Sequence, residues 1–263
     1  MVKRGIIFQK DQMINKKNKF NSIGLIPVRL NSSRLFRKAL LEIDKLPMFV
    51  HTYRRSLLSK KLNKVYVCTD SDKIIKIAKK YKCNFIKTGR HLTGTDRISE
   101  AVKKIKDKYD FYIDIQGDEP LLDPNHIDKV IEWHSKNTSF DIVVPSLKSK
   151  NIDTPHIVKI VKSNKRVVYF SRSLVPNAFK KKQNYYLKHL SVISFKLESL
   201  KKFKLLPQSE LEKIEGIELM RALENNMKIG TFNLKGASFS VDTKDDFLKA
   251  LKFMDLDKIR KKY

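Results

Sequence analysis

Three short segments hold most of the residues able to do chemistry. In Tyr112-Ile113-Asp114-Ile115-Gln116-Gly117-Asp118-Glu119-Pro120, an apolar strand pattern runs straight into an acidic turn. Three carboxylates near one strand end are hard to explain as surface solvation in a chain with 56 basic and 28 acidic residues. A hard cation such as Mg²⁺ takes a few carboxylate oxygens together with substrate phosphates, and Asp118 suits that use. The second segment, 29–38, follows the apolar run 23–27 and places Arg29, Arg34, Arg37 and Lys38 with Ser32 and Ser33 within ten residues. That is the carboxyl end of a buried parallel strand, where open α/β sheets bind ligands, although a solvated basic loop explains the segment equally well by itself. In the third, Thr88-Gly89-Arg90-His91-Leu92-Thr93-Gly94-Thr95-Asp96-Arg97, hydroxyls and a glycine open a helix whose N-terminus attracts anions or base edges. Asp242 closes the short run Phe239-Ser240-Val241 ahead of a further helix. It is a second candidate metal ligand, with an N-cap as its commoner role.

Other chemistries are excluded or weakened by what is missing. There is neither a G-x-G-x-x-G after a strand nor a G-x-x-x-x-G-K-[ST], so phosphate must be held some other way. Two cysteines, Cys68 and Cys83, suffice for neither a disulfide framework nor a four-ligand zinc site. The formal charge of +28 invites a nucleic-acid reading. However, 44 of the 56 basic residues are Lys, scattered along the chain without a stripe of interleaved aromatics, so no specific nucleic-acid partner is expected. The 12 Arg are more informative, because a planar fork grips phosphate or carboxylate at two points. Arg29, Arg34, Arg37, Arg97, Arg172 and Arg221 all lie in motif segments. No apolar run is long enough for a membrane span, and Lys3, Arg4, Lys10 and Asp11 break any leader-like apolar stretch. A cytosolic location without membrane insertion is the expectation.

The elements that must position these residues read as an α/β sheet wrapped by helices. Strands are predicted at 23–27, 65–69, 84–86, 112–116, 142–144, 158–162, 167–170, 190–195 and 229–232. Helices are predicted at 47–59, 71–82, 95–107, 124–137, 197–205, 212–225 and 244–256, several opened by capping residues such as Ser71, Asp123-Pro124 and Asp242-Thr243. Residues 1–21 read as a basic extension and 22–263 as one domain. The β-rich stretch 141–195 breaks the β-α alternation and reads as an inserted antiparallel lobe.

In order and spacing these motifs resemble one family. Ile26-Pro27-Val28-Arg29, Ser33-Arg34-Leu35, Pro47-Met48, Thr69-Asp70, Gly94-Thr95-Asp96-Arg97, Gln116-Gly117-Asp118-Glu119-Pro120, Tyr169-Phe170-Ser171-Arg172, His189, the stretch from Glu212 to Arg221 and Val241-Asp242-Thr243 match the 3-deoxy-manno-octulosonate cytidylyltransferases. The resemblance implies a nucleotide-diphospho-sugar-transferase fold, a homodimer, and Mg²⁺-dependent formation of CMP-Kdo and diphosphate from CTP and Kdo, an acidic 2-keto sugar that is activated for lipopolysaccharide synthesis. It places Arg29, Ser33, Arg34 and Lys38 at the triphosphate, and Gln116 with Thr93, Gly94, Thr95 and Arg97 near the nucleotide or sugar. It makes Asp118 and Asp242 the metal ligands, and turns Arg172, His189 and Glu218 toward the sugar acid. Four positions depart from the family pattern. Phe36-Arg37-Lys38 replaces Pro-Gly-Lys, so the tight turn is altered and Arg37 becomes an alternative phosphate contact. Lys188 replaces an Arg and Leu219 a Gln, which changes how sugar hydroxyls are held and keeps a related octulosonate or nonulosonate open as the substrate.

Overall fold

The structure, a computed structural model, describes residues 20–32, 35–150 and 152–263. The extension expected at 1–21 therefore lies almost wholly outside the described residues, as do Ser33 and Arg34. In chain order the described strands begin β1 (Ser22–Pro27), β2 (Glu42–Ile43), β3 (Leu46–Pro47), β4 (Lys64–Thr69), β5 (Phe85–Lys87), β6 (Phe111–Ile115) and β7 (Ile142–Val143). They continue with β8 (Ser146–Ser149), β9 (Lys159–Ser163), β10 (Arg166–Ser171), β11 (Tyr186–His189), β12 (Val192–Phe195), β13 (Ile229–Gly230) and β14 (Asn233–Leu234). The α-helices are α1 (Met48–Ser56), α2 (Asp72–Lys80), α3 (Gly94–Lys103), α4 (Pro124–Lys136), α5 (Leu197–Leu205), α6 (Glu210–Glu215), α7 (Met220–Glu224) and α8 (Lys244–Asp255).

β1 is apolar and buried along most of its length because it lies inside a parallel block, between β4 and β6, with helices on both faces. Side chains of α1 and α4 (Phe49, Val50, Ile127, Val130) cover one face, and those of α3 and α5 (Ile98, Ala101, Leu200, Phe203) cover the other. The sheet order is β14-β8-β11-β9-β10-β13-β7-β12-β6-β1-β4-β5. The antiparallel stretch expected at 141–195 is present and continues this sheet, since β12 pairs antiparallel with β6 from Val192 opposite Ile115 to Phe195 opposite Tyr112. A separate β2–β3 hairpin joins α8 through Ile43, Met48, Val241, Ala250 and Met254, a small core that fixes the chain around Asp242. No described helix is long and apolar enough to cross a membrane.

Two expected elements differ in the structure. The helix expected at 212–225 is α6 and α7, because Gly216 adopts a left-handed φ of 61° at the α6 C-cap. The strand expected at 190–195 is β12, which starts two residues later at Val192, and β11 at Tyr186–His189 was not expected.

Candidate active site

The acidic turn after β6 and the entry to α8 meet face to face. The Val241 amide donates to the Asp118 carbonyl at 3.0 Å. The buried Glu119 carboxylate accepts from Ser240 Oγ at 3.0 Å and Ser238 Oγ at 3.2 Å, and Lys188 Nζ donates to the Ser238 carbonyl at 2.9 Å. These contacts strap the segment leading into Asp242 onto the turn that carries Asp118. Thr243 is the N-cap of α8, accepting from the Asp246 amide while Asp246 accepts from the Thr243 amide. With capping done by Thr243, the Asp242 carboxylate reaches the cleft, so the commoner role for this residue type does not apply to its side chain.

Both carboxylates converge on one cation. Lys38 Nζ lies 2.5 Å from Asp118 Oδ2 and 3.0 Å from Asp242 Oδ1. Burial alone would lower the Lys38 pKa, but the attraction of Asp118 and Asp242 more than offsets this and raises it. Lys38 is presented by a tight turn in which its amide donates to Leu35 O and to Ser32 Oγ, and Ser32 Oγ donates to Leu35 O. Arg37 sits in this turn at φ 50°, a conformation that glycine adopts at no steric cost. The altered sequence thus keeps the turn. Arg37 stacks over the Phe36 ring at 4.7 Å and lies outside the cavity lining, whereas Lys38 lines it.

Two adjoining cavities open here. The first, about 260 Å³, is lined by the strand end at Pro27 and Val28, the Lys38 turn and the start of α3. The second, about 960 Å³, runs under the antiparallel half of the sheet. Arg29, Leu92, Thr93, Gln116, Asp118 and Asp242 border both. The arrangement offers cations and shared carboxylates at the junction of two compartments, as expected of a site that joins a polyphosphate to a second substrate.

Residues 23–229 match the cytidylyltransferase family. A 3-deoxy-manno-octulosonate cytidylyltransferase of Rickettsia canadensis (strain McKiel) is 37% identical over 237 residues, covering 88% of this chain and 95% of that protein. The same enzyme of Rickettsia felis (strain ATCC VR-1525 / URRWXCal2) is 38% identical, with 88% and 94% covered. The chain belongs to the 3-deoxy-manno-octulosonate cytidylyltransferase family. A solved structure of CMP:2-keto-3-deoxy-manno-octonic acid synthetase complexed with CTP superposes with a TM-score of 0.84 at 29% identity, over 90% of this chain and 99% of that one. A cytidylyltransferase of Leptospira borgpetersenii, 18% identical with a TM-score of 0.61 over 89% of this chain and 87% of its own, shares the fold.

Most of the residues singled out for this family meet at the cleft. Arg29, Lys38, Thr93, Gly94, Arg97 and Gln116 line the first cavity, and His189 and Glu218 join Gln116 in the second. Thr95 is buried beneath them, and its amide donates to Glu218 Oε2 at 3.1 Å. Burial pushes the Glu218 carboxyl above its usual range, and the hydrogen bonds from Thr95 and Thr93 work against this. Arg97 is nearly buried and pairs with Asp70 at 2.9 Å and Thr88 Oγ1 at 2.8 Å, tying together the loops after β4 and β5. Arg172 does not line either cavity. Its guanidinium donates to the carbonyls of Pro155 (2.6 Å), Glu215 (2.6 Å) and Gly216 (3.1 Å), fastening two loops at the edge of the second cavity. His189 is neutral near pH 7, its pKa lowered to about 4 by burial and then by the positive charge of Lys188 and Arg172.

Sequence reasoning missed several wall residues. His91 lines the first cavity and is held by Glu100 at 2.6 Å, while His156, Lys249 and Gln208 line the second. Gln208 and Lys249 belong to no motif and reach the cleft only through the placement of the α6 and α8 entries. His91 did carry a signal, lying inside the 88–97 segment.

Proposed function

We propose that this chain transfers the cytidylyl group of CTP to 3-deoxy-D-manno-octulosonate, giving CMP-Kdo and diphosphate, with Mg²⁺ as cofactor. The observation that carries this is the convergence of Asp118 and Asp242 on a single cation position where the two cavities meet. The donor set fits a hard divalent ion: both ligands are carboxylate oxygens, and Mg²⁺ commonly uses only one or two of these together with substrate phosphates. Asp118 and Asp242 would hold the ion. When bound, it supplies neutralisation of charge on the phosphate oxygens.

The chain's own residues account for the rest. The first cavity takes the nucleotide, with the α3 N-terminus, Thr93 and Gly94 beside it. Lys38 and Arg29 offset negative charge as diphosphate leaves. The second cavity holds the sugar so that its anomeric hydroxyl attacks the α-phosphorus in line, a reaction promoted mainly by positioning and charge stabilisation. Gln116 and Glu218 supply hydrogen bonds to sugar hydroxyls, and Lys188 is the cation of that wall nearest the junction strap. His189, being neutral, contributes a hydrogen bond and no charge.

A homodimer belongs to the same proposal and is checked by light scattering of the purified protein. The deciding assay is diphosphate release from CTP with Kdo and Mg²⁺, run beside a panel of nonulosonates. Turnover with Kdo supports the proposal; an inert Kdo with an active nonulosonate would support a second reading, another acidic sugar. That reading rests on Leu219, which sets an alkyl side chain in the wall of the second cavity.

A further inference from the structure

Asp114 has no part in the reaction above, and its setting is unfavourable. It lies on β6 without exposure, opposite Leu25 of β1 and Ile193 of β12. Oδ1 accepts a hydrogen bond from Gln116 Nε2 at 3.1 Å, and Oδ2 is buried without a hydrogen-bond partner. Burial, and then the charge of Glu218, push this carboxyl well above the usual range. A valine or isoleucine would pack in such a strand without that penalty. What a carboxyl provides and an alkyl group cannot is a hold on Gln116.

The Gln116 amide lies between Asp114 and the start of α3, where a Cβ on Gly94 would come within 3.3 Å of Nε2. Gln116 borders both cavities. The two ends of a primary amide are opposites in hydrogen bonding, so the end that faces inward decides what the cleft is offered. We infer that Asp114 is a positioning residue that fixes the Gln116 amide with its nitrogen inward, so that Oε1 is presented at the junction of the cavities as an acceptor for a hydroxyl of the incoming sugar. The inference rests on the cytidylyl-transfer reading for the identity of that ligand; the orientation of the amide stands on the geometry alone.

Two variants and two readouts test it. Asp114→Leu removes the acceptor, and Asp114→Asn keeps the volume but allows either end of the new amide to face Gln116. With CTP and Kdo, Asp114→Leu raises KM for the sugar about tenfold, the worth of one hydrogen bond, while kcat and KM for CTP stay within about twofold. Asp114→Asn gives a smaller rise in the same constant, and neither variant lowers the melting temperature. In ¹⁵N-labelled wild-type protein, the Gln116 side-chain amide, assigned by its loss in Gln116→Glu, shows one exchange-protected proton, and that protection disappears in Asp114→Leu. A sugar KM unchanged in both variants, or equal rises in both KM values, would overturn the inference. Should wild-type protein fail to turn over Kdo, the proposed function falls, and amide exchange alone decides the positioning role. Protection that persists in Asp114→Leu would then overturn it.

Discussion

On the parallel side of the cleft, built from the ends of β1 and β6, charge faces the cavity: Lys38 sits between Asp118 and Asp242, with Arg29 beside them. On the antiparallel side, cations hold backbone carbonyls. Buried Lys159 donates to the carbonyls of Thr154 (2.7 Å) and Arg172 (2.6 Å), and Arg172 in turn donates to three carbonyls of its own. Lys188 stays in that wall with its Nζ on the Ser238 carbonyl, and His189 beside it is uncharged at neutral pH. Phosphate chemistry needs charge where charge develops, while recognition of a hydroxylated sugar depends on hydrogen bonds of fixed direction, so cations on that side serve best as clamps. Lesions on the first side should therefore reduce turnover, and lesions on the second should raise the KM of the sugar.

The largest effect comes from the shared carboxylates. Asp118→Asn or Asp242→Asn removes one negative charge from the cation position at almost constant volume. Each should reduce kcat for diphosphate release by about 10³-fold or more, some 4 kcal/mol of transition-state stabilisation, with a melting temperature within about 2 °C of wild type. Chelation of divalent ions with EDTA should abolish turnover of wild-type protein to the same degree, and added Mg²⁺ should restore it. Retention of about a tenth of the activity in either variant would break the contrast between the two sides at its stronger end.

The next effect tests the clamps. Arg172→Lys keeps the charge but replaces a planar fork that reaches three carbonyls. The loops joined through Pro155 and Gly216 should loosen, raising sugar KM about tenfold and lowering stability by about 1–3 kcal/mol, with KM for CTP unchanged. Calorimetry separates this from direct contact with the sugar. A higher sugar KM at an unchanged melting temperature would place Arg172 on the substrate and erase the distinction between the two sides.

How much of this could be read in advance follows the same division. The charged side is built from contiguous motifs at strand ends, so Arg29, Lys38 and Asp118 stood out by residue type and position, and Gln116 by the family resemblance. The partner at Asp242 needed more: only the structure shows that Thr243 and Asp246 satisfy the α8 N-terminus and leave Asp242 to the cleft. The clamped side was less legible because its short antiparallel strands are paired by long-range register, to which local periodicity is blind. The family resemblance turns Arg172 toward the sugar, and sequence cannot separate that from the grip on backbone carbonyls found here, because both uses of an arginine look alike in the chain. The break at Gly216 was visible as a residue, but the helical periodicity on either side of it masked the left-handed cap.

A smaller effect concerns His189. Its folded pKa of about 4 lies below the ordinary value of 6.5, so the imidazole is neutral throughout pH 6–8. Because the folded state resists protonation, the stability linked to this group is fully present above pH 6.5 and is lost as pH falls toward 4. His189→Asn should lower kcat/KM about fivefold by removing a hydrogen bond, and should leave the shape of the pH–rate profile between 6 and 8 unchanged. An acid limb near pH 7 that vanished in the variant would make His189 a titrating base, and the antiparallel side would take part in proton transfer as well as in holding the sugar.

The smallest expected change tests whether the Lys38 turn tolerates its unusual residue at a cost. Arg37 occupies a left-handed conformation at φ 50°, which disfavours a side chain by about 1–2 kcal/mol. Arg37→Gly relieves that strain, but it frees the unfolded chain by about 0.5–1 kcal/mol and removes the stacking on Phe36, worth a similar amount at an exposed site. These terms nearly cancel, so the melting temperature should move by no more than about 2–4 °C. Activity should hold, since Lys38 reaches Asp118 and Asp242 from the same turn and Arg37 lines neither cavity. A loss of kcat beyond about threefold would show that Arg37 acts on phosphate after all, and would extend the charged side of the cleft by one residue.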